Sequence, residues 1–413
     1  MRGVLDGFLR RMLAEGQLAI RWPDGTRSRY QGKRDGPAAG FAINHQAALR
    51  RLVLNPSLGL GEAYMAGQIE PLDCSLFAML DVLVRNAETN LSAHPLMRLH
   101  AAGGWLVRRL RQFNPAPRAR RNVAHHYDLN GLLYSVFLDR DRQYSCAYFP
   151  PGSETLEEAQ TLKKRHIAAK LRLDREGLSV LDIGSGWGGL ALTLARDYGA
   201  RVTGITLSTE QLAESRARAA AEGLAERVRF ELVDYRVLAE PFDRIVSVGM
   251  FEHVGVDHYR RFFTTVKRCL APDGVALLHA IGRAAGPGST NPWLAKYIFP
   301  GGYSPALSEV VPPIERAGLW ITDIEILRLH YAETLRHWRR RFAANRDAIA
   351  SLYDERFCRM FEFYLAGSEL AFRRQDHMNF QIQMTRSPYA LPMARDYMFE
   401  NERRMAGATA RQG

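Results

Sequence analysis

The sequence lacks the features that would assign the protein to a membrane-spanning or secreted class. Its 413 residues contain no apolar run near the roughly 18–20 residues that a transmembrane helix needs, and charges interrupt the N-terminus where a signal peptide would be apolar. Cysteine is rare, with no spacing typical of zinc or redox motifs. The four cysteines are Cys74, Cys146, Cys269 and Cys358. These absences predict a cytoplasmic protein without a disulfide framework or a metal site.

Lysine is also scarce. Six lysines occur among the 56 basic residues, so arginine carries almost all of the formal net charge of +12. A basic surface favours an anionic partner, either a nucleic acid or a phospholipid membrane, and guanidinium groups bind the phosphates of both. Composition alone does not choose between these two partners.

The arginine excess is concentrated between Arg98 and Arg121, a stretch with seven arginines and no acidic residue. Apolar residues recur in it at helical intervals, namely Trp105, Leu106, Leu110 and Phe113. This pattern is typical of a helix that lies on an anionic membrane surface. A solvated helix end with a basic linker and a nucleic-acid contact are the alternatives that the sequence leaves open.

Prolines at the end of this stretch predict a domain boundary. The segment Asn114–Pro117 cannot continue a helix and is typical of an interdomain linker. We therefore assign 1–113 to an N-terminal lipid-docking domain, 114–121 to a basic, proline-containing linker and 122–413 to the catalytic domain.

The N-terminal domain is expected to be a small mixed α+β fold. An apolar stripe between Val4 and Leu13 predicts a helix. The turn sequence Pro23-Asp24-Gly25, flanked by two strand-like runs, predicts a hairpin. Further helices follow, one of them beginning near Asp73.

After the linker, apolar strand-like runs alternate with helical patterns. The five runs are Leu178–Ile183, Val202–Thr206, Val228–Val233, Arg244–Val248 and Val275–His279. The helical stretches between them include Leu190–Tyr198, Glu210–Glu222 and Asp257–Leu270. Such alternation predicts a doubly wound α/β domain with a parallel sheet. Ligands of these sheets bind beyond the carboxyl ends of the strands, so we expect the site residues just after each run.

A glycine-rich loop, within Leu181–Gly189, ends the first run. Its glycines fit both a dinucleotide-binding pattern and the Asp-x-Gly-x-Gly-x-Gly loop of S-adenosylmethionine-dependent enzymes. A dinucleotide site requires an acidic residue at the end of the second strand, and Gly204–Ser208 contains none. Asp182 can instead meet the cationic end of S-adenosylmethionine, and Asp234, after the third run, the adenine amino group. The sequence therefore predicts S-adenosylmethionine as the cofactor.

Several uncommon sequence blocks accompany this loop. They are Leu58–Met65, Tyr144–Phe149, Gly249–Gly255, Leu278–Gly282 and Lys296–Gly302. Through these blocks and their order, the chain resembles the cyclopropane-fatty-acyl-phospholipid synthases and their relatives, the mycolic-acid cyclopropane synthases, over nearly its whole length. The motif of amino-nitrogen methylation and a recognisable RNA-binding module are both missing from the sequence.

The resemblance implies transfer of a methylene group from S-adenosylmethionine to the cis double bond of a phospholipid acyl chain. An alkene is a weak nucleophile, and methyl transfer leaves a carbocation that aromatic faces can stabilise in a dry pocket. The aromatic candidates are Tyr144, Tyr148, Phe149, Phe251, Trp293, Tyr297 and Tyr331. The cation must then lose a proton from its new methyl group, and the resemblance implies that a bound bicarbonate accepts that proton.

The resemblance also implies which residues form the site. The bicarbonate site is expected to comprise Cys146, Glu252, His279 and Tyr331, with the backbone of Ile281. Glu252 would accept from the bicarbonate hydroxyl, while His279 and Tyr331 would donate to its oxygens. The residues expected to bind the cofactor are Tyr144, Ser145, Asp182, Gly184, Ser185, Gly186, Trp187, Gly188, Thr206, Leu207, Ser208, Gln211, Asp234 and Tyr235.

The partners implied by the resemblance are an anionic phospholipid surface, at the inner face of the cell membrane, and a second copy of the chain in a homodimer. No nucleic-acid partner is expected on this interpretation. Three alternatives remain: a related olefin methyltransferase that makes methyl-branched or oxygenated chains, an RNA or small-molecule methyltransferase, and a non-catalytic lipid-binding protein.

Overall fold

The computed structural model describes residues 1–90 and 131–409, and the side chains of 1–87 and 131–406. The described residues form two compact units, which we call the first unit and the second unit. The first unit comprises 1–90, 289–300 and 335–376, and the second comprises 131–288, 301–334 and 377–409.

The secondary structure is numbered in chain order. The helices are α1 (Arg2–Met12), α2 (Gln46–Leu54), α3 (Pro56–Met65), α4 (Leu76–Asn90), α5 (Gly131–Phe137), α6 (Leu156–Lys170), α7 (Gly189–Tyr198), α8 (Thr209–Ala221), α9 (Tyr259–Cys269), α10 (Pro292–Tyr297), α11 (Leu307–Ala317), α12 (His330–Ala344), α13 (Arg346–Leu352), α14 (Glu355–Arg374) and α15 (Asp396–Thr409). The strands are β1 (Glu15–Arg21), β2 (Arg27–Gln31), β3 (Arg34–Ile43), β4 (Ile69–Pro71), β5 (Ser179–Ile183), β6 (Arg201–Thr206), β7 (Val228–Leu232), β8 (Phe242–Val248), β9 (Leu270–Arg283), β10 (Trp320–Leu327) and β11 (His377–Thr385). Within the two described ranges, every helix is too short or too polar to span a bilayer.

The first unit contains a four-stranded sheet in the order β2-β1-β3-β4, in which β1 and β3 are parallel. β1 and β2 form the predicted hairpin. Its turn holds Gly25 at a φ of +80°, and Asp24 Oδ1 accepts a hydrogen bond from Thr26 N at 3.0 Å. The predicted N-terminal helix is α1, whose Leu5 and Leu9 are buried in the core of this unit.

Two later segments of the chain complete the first unit. Ala366 and Leu370 of α14 are buried in the same core as the N-terminal strands, and Trp293 of α10 donates to a methionine sulfur within this unit. The sequence analysis placed both segments in the domain 122–413, because local apolar patterns do not show which distant parts of a chain pack together. The predicted linker 114–121 and the basic stretch before it lie outside the described residues.

The second unit is built on a seven-stranded sheet in the order β10-β11-β9-β8-β5-β6-β7. The strands β9-β8-β5-β6-β7 are parallel, and they correspond to the five predicted runs. The prediction ended β9 at His279, whereas the strand continues to Arg283. The sequence analysis also missed β10 and β11, an antiparallel pair that joins the sheet alongside β9. The doubly wound α/β prediction is therefore confirmed, with an antiparallel extension at one side.

The carboxyl ends of the parallel strands meet at one edge of this sheet. Asp182 of β5 is in register with Gly204 of β6 and Val246 of β8. The glycine loop after β5, the residues after β6 and β7, and the short helix after β8 therefore follow neighbouring strand ends. Residues that are far apart in the sequence come together at this edge.

Candidate active site

The loop between β5 and α7 follows a path that requires glycine at two positions. Gly184 and Gly188 have φ angles of +87° and +84°. A Cβ would lie 2.8 Å from Met250 Cβ at the first position and 2.8 Å from Phe230 Cζ at the second. Gly186 also has a positive φ, +54°, but a Cβ added there meets no heavy atom within 4 Å. The loop is therefore tightly packed on both sides of an open space at Gly186.

This open space is part of a cavity of about 160 Å³ in the second unit. Twelve of the fourteen residues predicted to bind the cofactor line it, namely Tyr144, Ser145, Asp182, Gly184, Ser185, Gly186, Trp187, Thr206, Leu207, Gln211, Asp234 and Tyr235. The other two support the wall from behind. Gly188 is the N-cap of α7, and Ser208 is the N-cap of α8, where its Oγ accepts a hydrogen bond from Gln211 N at 3.3 Å.

Three cavity-lining residues have a buried polar atom without a hydrogen-bond partner among the described residues, namely Trp187 (Nε1), Gln211 and Asp234, of which the last two bear on the ligand. Asp234 Oδ1 accepts from Arg236 N and Nε, at 3.0 and 2.9 Å, but Asp234 Oδ2 has no partner. Gln211 Oε1 accepts from Thr206 Oγ1 at 2.9 Å, whereas Gln211 Nε2 has no partner. Because unsatisfied buried polar atoms are rare and costly, these two are candidates to bind a ligand, one as acceptor and one as donor.

The carboxyl group of Asp182 is the most buried acid of the cavity. Burial raises its pKa to about 7, although the positive charge of Lys163 acts in the opposite direction. Near neutral pH this carboxyl group is therefore close to its titration midpoint. A cationic ligand would bind to the ionised form and favour it.

Glu252 lies beside this cavity in a short 3-10 helix, Phe251–His253, that follows β8. Its Oε1 accepts a hydrogen bond from the backbone N of Ile281 on β9 at 2.6 Å, and its buried Oε2 has no partner within the described residues. Burial raises the pKa of Glu252 to about 7, with the bond from Ile281 acting in the opposite direction. Glu252 is thus a buried carboxyl group that can exchange a proton near neutral pH.

His279 is fully buried on β9, two residues before Ile281. Both of its ring nitrogens are engaged, Nε2 with Asn379 Nδ2 and Nδ1 with Gln381 Nε2, each at 3.1 Å. Burial, together with the charges of nearby lysines, lowers the pKa of His279 to about 3, so the ring is neutral. A neutral imidazole offers one donor and one acceptor, so one of the two amides must turn its oxygen towards the ring.

The contacts of His279 differ from the expected role. We expected this side chain to donate to a bicarbonate oxygen, but in the structure both ring nitrogens bind to β11. His279 can therefore donate to an anion only if its ring gives up one of these two hydrogen bonds. Asn379 and Gln381 were missed by the sequence analysis because β11 itself was not predicted.

Cys146 and Tyr331 form a second pair of expected site residues. Cys146 is fully buried, its Sγ donates to the Ala147 carbonyl at 3.3 Å, and burial raises the pKa of the thiol. The backbone N of the next residue, Ala147, donates to Oγ1 of Thr334 on α12 at 3.0 Å. Tyr331 is buried on the same helix, one turn before Thr334. A thiol held in the protonated form suits a packing or positioning role and not a nucleophilic one.

The aromatic candidates are found in different environments. Tyr144 lines the cavity, and Tyr148 stacks on His166 with ring centroids 4.3 Å apart. Phe251 is a core residue instead, fully buried and stacked on Tyr259 at 4.2 Å. Trp293 and Tyr297 belong to the first unit.

Comparisons with known proteins identify the family. Residues 115–382 match the family described as Mycolic acid cyclopropane synthetase, and residues 4–95 match a domain of unknown function. The cyclopropane-fatty-acyl-phospholipid synthase of Escherichia coli (strain K12) is 41% identical over 360 residues, which cover 84% of this chain and 91% of that protein. The chain belongs to the cyclopropane-fatty-acyl-phospholipid synthase family.

Two further members of the family extend the comparison. The tuberculostearic acid methyltransferase UfaA1 of Mycobacterium tuberculosis is 36% identical over 390 residues, covering 90% of this chain and 88% of that protein. The crystal structure of mycolic acid cyclopropane synthase CmaA1 complexed with SAH and CTAB is 32% identical, with a TM-score of 0.61 over 66% of this chain and 99% of that chain. The protein is an S-adenosylmethionine-dependent methyltransferase, as predicted.

The cavity in the second unit of this protein suits S-adenosylmethionine. Asp182 offers a carboxylate to the cationic methionine end, while the unpartnered atoms of Gln211 and Asp234 can bind the ribose and the adenine amino group. The open space at Gly186 lets the ligand approach the backbone closely. When bound there, S-adenosylmethionine supplies an electrophilic methyl group.

The sequence analysis missed several residues of the cavity wall. Arg142 lines the cavity with its guanidinium 5.5 Å from the centre of the Trp187 ring, and Met250 and His253 line it from the loop after β8. Burial lowers the pKa of His253 to about 4, so this ring is neutral. All three lie within two positions of a predicted site residue in the sequence, which is the signal that could have indicated them.

Replacing Gly186 by alanine is expected to weaken binding of S-adenosylhomocysteine by roughly tenfold or more, because the added methyl group enters the space that the ligand needs. Isothermal titration calorimetry with S-adenosylhomocysteine measures the effect. Gly223→Ala is the matched control: its φ is +67° and a Cβ there also meets no heavy atom within 4 Å, but it does not line the cavity. Equal affinities of the two variants would contradict this assignment of the cavity.

Proposed function

We propose that this protein transfers a methylene group from S-adenosylmethionine to the cis double bond of an unsaturated phospholipid acyl chain, which closes a cyclopropane ring. The observation that carries the proposal is the carboxyl group of Glu252, which is buried, has one oxygen held by Ile281 N and has the other unpartnered. Met250 and His253, on either side of it in the sequence, line the methyl-donor cavity. This supports a role for Glu252 in the step that follows methyl transfer.

The chemistry requires such a base. Attack of the alkene on the methyl group leaves a carbocation on the acyl chain, and a C–H bond of the new methyl group must then break. Its electron pair forms the third carbon–carbon bond of the ring, and its proton passes to a base. Water must be excluded, because its capture by the cation would give an alcohol. Glu252, with a pKa of about 7 set by burial, is largely ionised above neutral pH and can accept the proton or orient a group that does.

We further propose that a bicarbonate ion beside Glu252 is the immediate proton acceptor. The unpartnered Oε2 of Glu252 can accept from the hydroxyl group of bicarbonate, and Cys146, His279, Ile281 and Tyr331 complete the proposed site. The rate in buffer depleted of carbon dioxide is expected to fall several-fold and to recover when bicarbonate is added, without a change in the affinity for S-adenosylhomocysteine. A rate that is independent of bicarbonate would assign proton removal to Glu252 itself.

A second candidate function is the formation of methyl-branched or oxygenated chains from the same cation. One observation favours it, namely that a relative 36% identical over 90% of this chain is named a tuberculostearic acid methyltransferase. In that reaction hydride or water would be added to the cation, so no proton would be lost from the new methyl group.

Product analysis decides between the two functions. The protein is incubated with S-adenosylmethionine and vesicles of unsaturated phosphatidylglycerol or phosphatidylethanolamine, and the acyl chains are examined by mass spectrometry and NMR. We expect a gain of one methylene unit, loss of the olefinic protons and appearance of cyclopropane protons, with no added reductant. A product that forms only with a reductant, or that carries oxygen, would overturn the cyclopropane proposal.

We also propose that the protein binds the inner face of the cell membrane peripherally and acts as a homodimer. The support for membrane binding is the net charge of +12 and the arginine-rich stretch Arg98–Arg121, whereas the homodimer is implied by the resemblance to the family alone. Flotation with vesicles that contain phosphatidylglycerol is expected to exceed flotation with neutral vesicles and to weaken at high salt. Binding that is insensitive to both lipid charge and salt would contradict the electrostatic part of this proposal.

A further inference from the structure

Lys163 is a buried lysine directly behind the methyl-donor cavity. It lies on α6, is fully buried, and its Nζ donates to Gln143 Oε1 and, at 3.0 Å, to Ser145 Oγ. Gln143 and Ser145 both line the cavity. Gln160, one turn earlier on α6, donates its Nε2 to the backbone carbonyls of the same two residues, at 3.3 and 3.0 Å. The segment that contains Tyr144 is therefore held from behind by two side chains of one helix.

The charge on Lys163 acts on several groups around this segment. The titratable groups coupled to it are Asp139 and Asp141 in the preceding loop, Lys164 on its own helix, Cys146, Asp182 on β5 and His279 on β9. Its direct hydrogen-bond acceptors are neutral oxygens, so its positive charge is not neutralised by them. A cation this deeply buried is costly, and its presence behind a site for a cationic ligand needs a reason.

We propose that Lys163 is a positioning residue of the methyl-donor site: through its bonds to Gln143 and Ser145 it holds this segment at the wall of the cavity that Asp182 also lines, and it brings a positive charge to that wall. The inference concerns the methyl-donor site alone. It does not depend on which acceptor is methylated.

The need for this charge follows from the burial of Asp182. Burial alone favours the neutral acid, which cannot attract the ammonium group at the methionine end of S-adenosylmethionine, a group that S-adenosylhomocysteine also carries. The charge of Lys163 lowers the pKa of Asp182 and leaves it at about 7, so that a useful fraction is ionised at neutral pH. Lys163 itself has a pKa lowered to about 8 by burial, and so it is mostly charged at neutral pH. Removing it should shift the titration of Asp182 towards higher pH.

The test is the pH dependence of S-adenosylhomocysteine binding by the variants Lys163→Met and Lys163→Gln, followed by calorimetry between about pH 6 and pH 9. Both variants are expected to bind roughly tenfold more weakly than the unaltered protein near pH 7 and to recover much of this loss at the alkaline end. At a pH below the new pKa, each unit of increase in the pKa of Asp182 lowers its ionised fraction about tenfold. Lys163→Gln keeps a donor for Ser145 and removes only the charge, so it separates charge from packing.

Lys164→Met is the matched control. Lys164 is the next residue of α6, is also buried, and pairs with Asp141 at 2.6 Å. This variant is expected to lose stability and to shift the pH profile of binding far less than Lys163→Gln, because Lys164 bonds to Asp141 and not to Gln143 or Ser145. In an Asp182→Asn background, Lys163→Gln should cause little further loss of affinity, because the group that it acts on has been removed.

Two results would overturn the proposal. One is an unchanged pH profile in Lys163→Gln, which would show that the charge is not needed. The other is the same loss of affinity from Lys163→Gln with and without Asp182, which would assign Lys163 a purely structural role. Because the measurement uses no lipid, failure of the proposed acyl-chain chemistry would leave both results unaffected.

Discussion

Glu252→Gln is expected to lower the rate of lipid methylenation by roughly a thousandfold, since general-base groups contribute about 10²–10⁴-fold. Glutamine keeps the shape of the side chain and can still accept from Ile281 N, but it can neither take a proton nor accept from a bicarbonate hydroxyl through an ionised oxygen. The affinity for S-adenosylhomocysteine should be unchanged. Single-turnover assays with radiolabelled S-adenosylmethionine on unsaturated vesicles measure the rate.

Glu309→Gln is a suitable control for this variant. Glu309 accepts a hydrogen bond from the hydroxyl of Tyr303 at 2.7 Å, and Tyr303 N donates to the backbone carbonyl of Glu252 at 2.9 Å. The control thus removes a carboxylate from the same neighbourhood without touching the proposed base. If both variants keep more than about a tenth of the activity, Glu252 does not serve as the base or as its binding partner.

The difference in stability between Glu252→Gln and the unaltered protein should depend on pH in a defined direction. The pKa of Glu252 is raised from 4.5 in a model peptide to about 7 in the folded chain, so ionisation opposes folding. This cost is absent below about pH 4.5 and grows as the pH rises to about 7. Glu252→Gln is therefore expected to raise the free energy of unfolding at pH 8, by on the order of 3 kcal/mol, but not at pH 4. Chemical denaturation at the two pH values measures it, and an equal gain at both would assign the effect to packing.

Asp182→Asn is expected to weaken S-adenosylhomocysteine binding by roughly tenfold to a hundredfold. A hydrogen bond to a charged group contributes about 1.5–3 kcal/mol, and the asparagine retains the shape without the charge. The dependence of binding on pH around 7 should disappear, because the group that titrates there has been removed. Calorimetry over the same pH range measures both effects.

Asp243→Asn provides the comparison for Asp182→Asn. Asp243 lies near the start of the neighbouring strand β8, away from the cavity lining, and accepts from Ser179 N and Oγ at 2.8 Å. Its replacement should lower stability without changing ligand affinity. A preserved pH dependence in Asp182→Asn would mean that another group of the cavity titrates near neutrality.

The sequence alone brought together most residues of the cavity wall because the information it needs is local. The five apolar runs predicted parallel strands, and residues that follow neighbouring parallel strands meet at one edge of a sheet. Asp182, Gly186 and Asp234 could therefore be placed together without coordinates. The resemblance to the synthases drew attention to Glu252, which lies just beyond β8 as that argument requires.

Other parts of the site are formed by contacts between residues that are distant in the sequence, which no local sequence pattern predicts. Asn379 and Gln381 reach His279 across 100 and 102 positions of sequence, from a strand whose alternation of apolar and polar residues the sequence analysis did not use. The sequence analysis gave Lys163 no role, and only the fold shows it buried and bonded to Ser145. Phe251, a candidate to stabilise the cation, proved to be part of the core.

What the sequence determined by itself is the α/β architecture, the type of cofactor and the strand ends at which the site is built, because hydrophobic periodicity and glycine spacing act over a few residues. The tertiary structure alone decided which side chains surround His279, how the carboxyl groups of Asp182 and Glu252 titrate, and that 289–300 and 335–376 belong to the first unit. The physical reason is that burial and electrostatic coupling are properties of packed neighbours, which the folded chain brings together from distant positions.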